Sequence, residues 1–112
     1  MIITSLTDAA SKPNPHGVDA KTLYDHDHGL ISHLTILPGQ SLKRHITPVD
    51  VAFYVVEGVG EVEIGEETAK VGADTLVESP AGIPHSWKNS SQDPLRILVM
   101  KLPKPTRKSK LL

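Results

Sequence analysis

Short runs rich in Val, Ile and Leu recur along the chain and are separated by Gly, Pro, Asn and Asp. No stretch repeats its apolar residues with the period of about 3.6 that an amphipathic helix requires. Runs of this length between such turns are typical of β-strands. The pattern therefore predicts an all-β protein, built either as a barrel or as a double-sheet sandwich.

The clearest predicted strand covers residues 51–57 and ends before Gly58. Residues 61–64 alternate polar and apolar side chains, so one face of this strand is expected to contact water. Gly65 and Glu66 suit a two-residue hairpin turn of type II′, which favours Gly at its first position. The predicted strands are 30–37, 51–57, 61–64, 68–71, 75–79 and 95–102.

The two ends of the chain differ from its middle. Residues 1–29 are predicted to be an N-terminal lead-in, irregular from residue 8 onward because this part is mostly polar and contains Pro13 and Pro15. From Lys101 onward the chain has five basic residues and no acidic residue. Residues 103–112 are predicted to form a flexible, solvated basic tail, and the folded domain to cover 30–102.

Composition narrows the possible functions. The formal charge is −1, which argues against nucleic acid as a partner. There is no cysteine, so disulfides and cysteine metal sites are excluded. The longest apolar run is far shorter than the ~20 residues of a membrane span, and the N-terminus lacks the pattern of a secretory signal. We therefore expect no membrane association and a cytoplasmic location.

Six histidines stand out in a chain of 112 residues, because histidine is the commonest metal ligand. His26 and His28 lie between acidic residues in the segment 24–29. This segment could bind a metal ion, but its composition is more typical of an exposed loop. The role of these two histidines remains open from sequence.

Residues 80–89 contain Pro80, Gly82, His85 and Asn89, and the spacing of these four residues resembles one of the two motifs of the cupin superfamily. In that motif Pro-x-Gly is followed by two residues, His, three residues and Asn, and Pro80, Gly82, His85 and Asn89 match it throughout. The preceding Gly72 is two residues too far away. The resemblance extends over roughly residues 30–102 and implies a jelly-roll β-barrel, also called a double-stranded β-helix.

The first cupin motif is only partly present. Gly39 and His45 have its spacing, and Gly58 closes it. The family's second histidine position is Thr47, and its glutamate position is Val51. Asp50 is adjacent, but neighbouring strand residues point to opposite faces. The resemblance therefore implies that His45 and His85 are kept as metal ligands and that two other ligands are lost.

His33 is the candidate for a substitute ligand. Residues 31, 33, 35 and 37 share one face of the predicted strand, and the opposite face is more apolar. If the apolar face packs outward, His33 looks into the barrel with His45 and His85, and three imidazoles form a credible site for one divalent metal. Fe, Mn, Ni and Zn are not distinguished, and a metal-free protein is the alternative that stays open.

Strand alternation also predicts the walls of a pocket. Thr47, Val51, Phe53, Val55 and Trp87 are expected to line it, although the last three could instead fill the core of a small barrel. The favoured hypothesis is a protein that binds a small organic ligand beside a degenerate metal site. The alternative is a metal-dependent oxygenase or isomerase, and whether the protein is an enzyme stays open. His85 is the best acid or base candidate, and similar small cupins are usually homodimers.

Overall fold

The computed structural model describes residues 1–112 and contains ten β-strands and no α-helix. Consequently it offers no helix of the length and hydropathy needed to cross a bilayer. The strands form two five-stranded sheets in which every pair is antiparallel. They are β1 (Asp19–His26), β2 (Gly29–Ile36), β3 (Ser41–Ile46), β4 (Asp50–Glu57), β5 (Val59–Ile64), β6 (Glu67–Gly72), β7 (Leu76–Ser79), β8 (His85–Lys88), β9 (Leu95–Leu102) and β10 (Lys110–Leu111).

The first sheet has the order β1-β2-β9-β4-β7, and the second has the order β10-β3-β8-β5-β6. Strands distant in sequence are therefore neighbours, as in a jelly roll. All six strands expected from the apolar runs are present, with ends shifted by two residues at most. The hairpin between β5 and β6 is confirmed, because Ile64 pairs with Glu67 and Gly65 has a φ of 60°.

Four strands are absent from the sequence interpretation. The lead-in was expected to be irregular, but it contains β1, which pairs along β2. The tail was expected to be loose because Pro103 and Pro105 interrupt a strand, yet pairing resumes when β10 joins β3. β3 and β8 are short and carry polar residues, so they lack the apolar signal of the predicted strands.

The core lies between the facing surfaces of the two sheets. Alternate residues of β4 and β9 point into it, which explains why these strands alternate buried and half-buried positions. Gly60 on β5 allows the sheets to approach closely, since a Cβ atom there would lie 2.7 Å from Cδ2 of Leu95 on β9 of the other sheet. The core consists of Val18, Leu34, Ile36, Leu42, Val51, Phe53, Val55, Val62, Trp87, Leu95, Ile97 and Val99.

Candidate functional site

A cavity of about 700 Å³ opens between the sheets, and strands from both of them line it. The lead-in and the tail supply further parts of the wall, with residues 12–16 and 105–109 respectively. Of the six histidines, three line the cavity: His16, His45 and His85. The cavity is therefore the place where most of the chain's candidate chemistry meets.

His45 and His85 come together because β3 and β8 are neighbours. The two residues are directly paired across the strands. Leu42 and His45 are three positions apart on β3, so strict alternation would place their side chains on opposite faces. A register shift between these two residues lets the side chains of both reach the interior. This bulge aligns the two histidines, which lie 40 residues apart in sequence.

A chain of hydrogen bonds fixes the protons of this pair. His45 Nδ1 lies 2.6 Å from the Lys43 carbonyl oxygen, which can only accept, so this nitrogen carries a proton. In neutral His45 the bare Nε2 then accepts from His85 Nε2 at 3.0 Å. His85 Nδ1 in turn accepts from the Ser79 hydroxyl at 2.7 Å. Two imidazoles are thus held in defined orientations beside the cavity.

Both imidazoles favour their neutral form. Burial, and to a smaller extent the neighbouring His45, lower the pKa of His85 to about 3. Burial also lowers the pKa of His45, against the opposing effect of the bond to Lys43. His16 has a pKa lowered to about 4 by burial and by His45. The cavity therefore presents neutral imidazoles at physiological pH.

The predicted pocket residues divide into two groups. Thr47, Val51 and Phe53 line the cavity, and Thr47 Oγ1 lies 3.2 Å from His85 Nε2. Val55 and Trp87 do not line it, because they lie deeper in the barrel and are completely buried. Their prediction as pocket residues was wrong, and they fill the core as the alternative interpretation had it.

His33 does not point into the cavity. Its β2 neighbours Ser32 and Leu34 line the cavity, so alternation turns His33 to the other face. There its Nε2 accepts a hydrogen bond of 3.1 Å from Arg96 Nε, while Nδ1 has no partner. The inward orientation predicted for His33 was wrong, because the more apolar face of β2 packs on the core rather than outside.

The remaining residues do not fit a metal centre of the usual kind. A catalytic metal site normally has three protein ligands. Here two imidazole nitrogens converge, Thr47 supplies only a hydroxyl, and Val51 has no ligand atom. No group of three or more His, Cys, Asp or Glu side chains is arranged to hold a metal ion. Asp50 is exposed and instead accepts a hydrogen bond from the Ala81 amide.

Other residues of the motifs and loops have structural roles. Asn89 is fully buried and donates to the carbonyl oxygens of Ile36 and Asp93, both at 2.8 Å. His26 and His28 are exposed at the β1–β2 turn, where the His28 ring bonds the Tyr24 hydroxyl. These side chains lie outside the cavity lining.

The sequence interpretation missed several residues of the cavity wall. His16 packs 4.9 Å from His45, measured between ring centroids, and its Nδ1 accepts from the Lys43 amide. Lys101 continues the inward-facing row of β9, after Val99. Lys101 could have been predicted, because it occupies the same alternate positions of its strand as the buried apolar residues. The orientation of His16 could not, because the segment around it has no regular alternation.

Comparison with known proteins identifies the family. A model described as the cupin domain matches residues 32–101. This chain belongs to the cupin family. An uncharacterized protein of Streptomyces coelicolor is 37% identical over 51 residues, which are 46% of this chain and 48% of that protein. The match thus spans about half the length of this curated relative.

Several solved structures share the architecture. TT1209 from Thermus thermophilus is 32% identical with a TM-score of 0.80, over 94% of this chain and 100% of that one. The polyketide cyclase RemF from Streptomyces resistomycificus is 20% identical with a TM-score of 0.85, over 100% and 85% of the two chains. The DMSP lyase DddQ from Ruegeria pomeroyi is 16% identical with a TM-score of 0.83, over 94% and 61%. The last two similarities concern the fold alone.

Proposed function

We propose that this cupin binds a small organic molecule in the barrel cavity, beside a metal site that has lost half of its ligands. The observation that carries the proposal is the composition of the cavity wall. Most of the surface exposed in the cavity is apolar, with side chains such as Leu34, Phe53 and Val99, while polar residues share the wall and two of them, His45 and His85, form a hydrogen-bonded pair. Ligand sites commonly combine a mostly apolar wall with a few fixed polar groups.

The size of the cavity supports the same conclusion. Its volume of about 700 Å³ lies within the range of roughly 300–1,000 Å³ found for ligand pockets. The polar groups are also fixed in advance, because Lys43 and Ser79 orient the two imidazoles. Such preorganisation lowers the entropic cost of binding.

His85 is the candidate for proton transfer if the cavity is catalytic. Its Nε2 faces His45 Nε2 and Thr47 Oγ1, so a proton can be shared within this group. A ligand hydroxyl or carbonyl close to Thr47 would be within hydrogen-bond reach of the pair. A polyketide cyclase and a DMSP lyase among the fold neighbours are consistent with a catalytic role.

The competing function is that of a metal-dependent oxygenase or isomerase. It would use His45, His85 and a substitute ligand to hold one divalent metal. His33 cannot supply this ligand without a rearrangement of β2, since its ring contacts Arg96 on the opposite face. The cavity therefore favours ligand binding through the protein's own groups.

Two fluorescent dyes with the same ring system test the proposal: the neutral phenylnaphthylamine and its sulfonated, anionic derivative, anilinonaphthalene sulfonate. Both are titrated into the protein in the presence of a chelator. We expect saturable binding of at least one dye, with one site per chain. The substitution Ser32→Phe fills the cavity wall and should weaken this binding at least about tenfold. Thr35→Phe, on the same strand but facing away, is the matched control.

Two results would contradict the proposal. One is the absence of saturable binding of either dye to the folded protein. The other is binding that Ser32→Phe and Thr35→Phe affect equally, because the dyes would then bind outside the cavity. Thermal unfolding of both variants checks that each is folded under the conditions of the titration.

A further inference from the structure

We infer that the ligand of this cavity is an organic anion, with a carboxylate, sulfonate or phosphate group on an apolar body. This inference rests on the proposed binding function and adds the chemical class of the ligand. It follows from the uneven distribution of charge between the cavity and the rest of the molecule.

The charges of the chain nearly cancel, but those of the cavity do not. The sequence has 12 basic and 13 acidic residues. No Asp or Glu lines the cavity, whereas Lys12, Lys101, Arg107 and Lys108 do. Walls of low polarity strengthen the field of such a one-sided set, so the cavity attracts negative charge.

Lys101 is the cation that a strand of the barrel itself contributes. It lies on β9 between Leu30 of β2 and Val51 of β4, and both of these neighbours also line the cavity. Its side chain is half-buried and makes no hydrogen bond or ion pair with a protein group. A partly buried ammonium group without a carboxylate partner is unfavourable, and a bound anion would remove this cost.

A second cation increases the effect. Burial lowers the pKa of Lys101, and the charge of Lys12 lowers it further. Both lysines line the cavity, so their positive charges repel each other. An anion between them would replace this repulsion by two attractions.

The position of these cations also indicates the shape of the ligand. Leu34, Phe53 and Val99 offer an apolar surface within the same cavity. The neutral imidazoles of His45 and His85 add hydrogen-bonding groups without charge. A ligand that uses all three features has an anionic group, an apolar body and a polar atom facing the histidine pair.

The same dye pair tests this inference, since the two dyes differ only in the sulfonate group. We expect the sulfonate to bind at least about tenfold more tightly than phenylnaphthylamine at low salt, from a charge-assisted contact. Lys101→Met keeps most of the side-chain volume and should weaken sulfonate binding about tenfold while leaving the neutral dye unchanged. Lys12→Met should act in the same direction with a smaller effect.

Lys70→Met is the matched control, because Lys70 is exposed on β6 and lies outside the cavity lining. It removes the same charge from the protein and should change neither affinity. Equal binding of the two dyes, or equal effects of Lys101→Met and Lys70→Met, would overturn the anion inference while leaving the proposed function intact. Loss of saturable binding for both dyes would overturn the proposed function itself.

Discussion

His45 and His85 face each other with their Nε2 atoms 3.0 Å apart. The Nδ1 atom of each ring makes a further hydrogen bond, in His45 with the Lys43 carbonyl oxygen and in His85 with the Ser79 hydroxyl. Only one of the two facing nitrogens can carry a proton when both rings are neutral, and the contact is then a hydrogen bond. Protonation of both rings would place two like charges in contact inside the barrel, which is unfavourable.

The first prediction concerns stability at acidic pH. The pKa of His85 falls from 6.5 to about 3 on folding, so the unfolded chain binds more protons than the folded protein below pH 6.5. Stability is therefore fully present above this pH and is lost as the pH falls towards the folded pKa. When the pH falls from 8 to 5, the titration of His85 should lower the free energy of unfolding of the wild type by at most about 2 kcal/mol, as measured by urea unfolding.

The substitution His85→Gln removes this titration while keeping an amide that can hydrogen-bond, so the loss of stability between the two pH values should be smaller. His26→Gln is the control, because His26 is exposed on β1 and should leave the loss unchanged. If His85→Gln and the wild type lose the same free energy of unfolding, the histidine pair does not control the response to acid.

The second prediction concerns the tight contact between the two sheets at Gly60. A Cβ atom at Gly60 would lie 2.7 Å from Leu95 Cδ2 and 2.9 Å from Trp87 Cε3. Gly60→Ala should therefore lower the free energy of unfolding by about 1–3 kcal/mol through overpacking. Gly72→Ala is the matched control, since nothing lies within 4 Å of the added atom. Equal unfolding midpoints of the two variants would show that the core adjusts without cost.

Much of this fold could be predicted because its strands alternate or are continuously apolar. The apolar pattern predicted the strand over 51–57, and the motif at 80–89 identified His85 as a candidate site residue. β1 could not be recognised, because its residues are mostly half-buried or exposed and its pairing with β2 is non-local. A sheet edge of this kind needs little apolar surface of its own.

The candidate site was harder to predict than the fold. Alternation correctly separated His33 from Leu34, but it does not say which face of a strand is the inner one. The bulge before His45 and the contact of His16 with His45 are invisible in sequence, since both depend on how distant segments meet. Lys101 differs, because its place in the row of Leu95, Ile97 and Val99 marks it as inward-facing.

The third prediction concerns the C-terminal segment 105–112. Residues 105–109 form part of the cavity wall, and Ser109 Oγ lies 3.3 Å from Thr47 Oγ1. Deletion of 105–112 should weaken binding of the sulfonate dye several-fold, because it removes a wall and the cations Arg107 and Lys108. The loss of stability should stay below about 2 kcal/mol, since β10 has only two exposed residues.

Deletion of residues 2–3 is the control for the tail, because Ile2 and Ile3 are exposed at the other end of the chain. This deletion should alter neither dye affinity nor the unfolding midpoint. If the two deletions affect sulfonate binding equally, the tail does not form part of the binding site. If the tail deletion prevents folding, β10 contributes far more to stability than its two residue pairs indicate.

The last prediction concerns metal content. Two imidazole nitrogens without a third protein ligand bind a divalent ion weakly, so protein purified without chelator should hold well below one metal ion per chain. A tightly bound metal ion would stabilise the folded state, and its removal would lower the melting temperature. We therefore expect that adding a chelator leaves the melting temperature unchanged. Elemental analysis compares the wild type with His85→Ala and with His33→Ala, whose ring lies on the opposite face from the cavity. Near-stoichiometric metal that His85→Ala removes and His33→Ala retains would refute the degenerate site, since a group other than His33 would then complete the coordination.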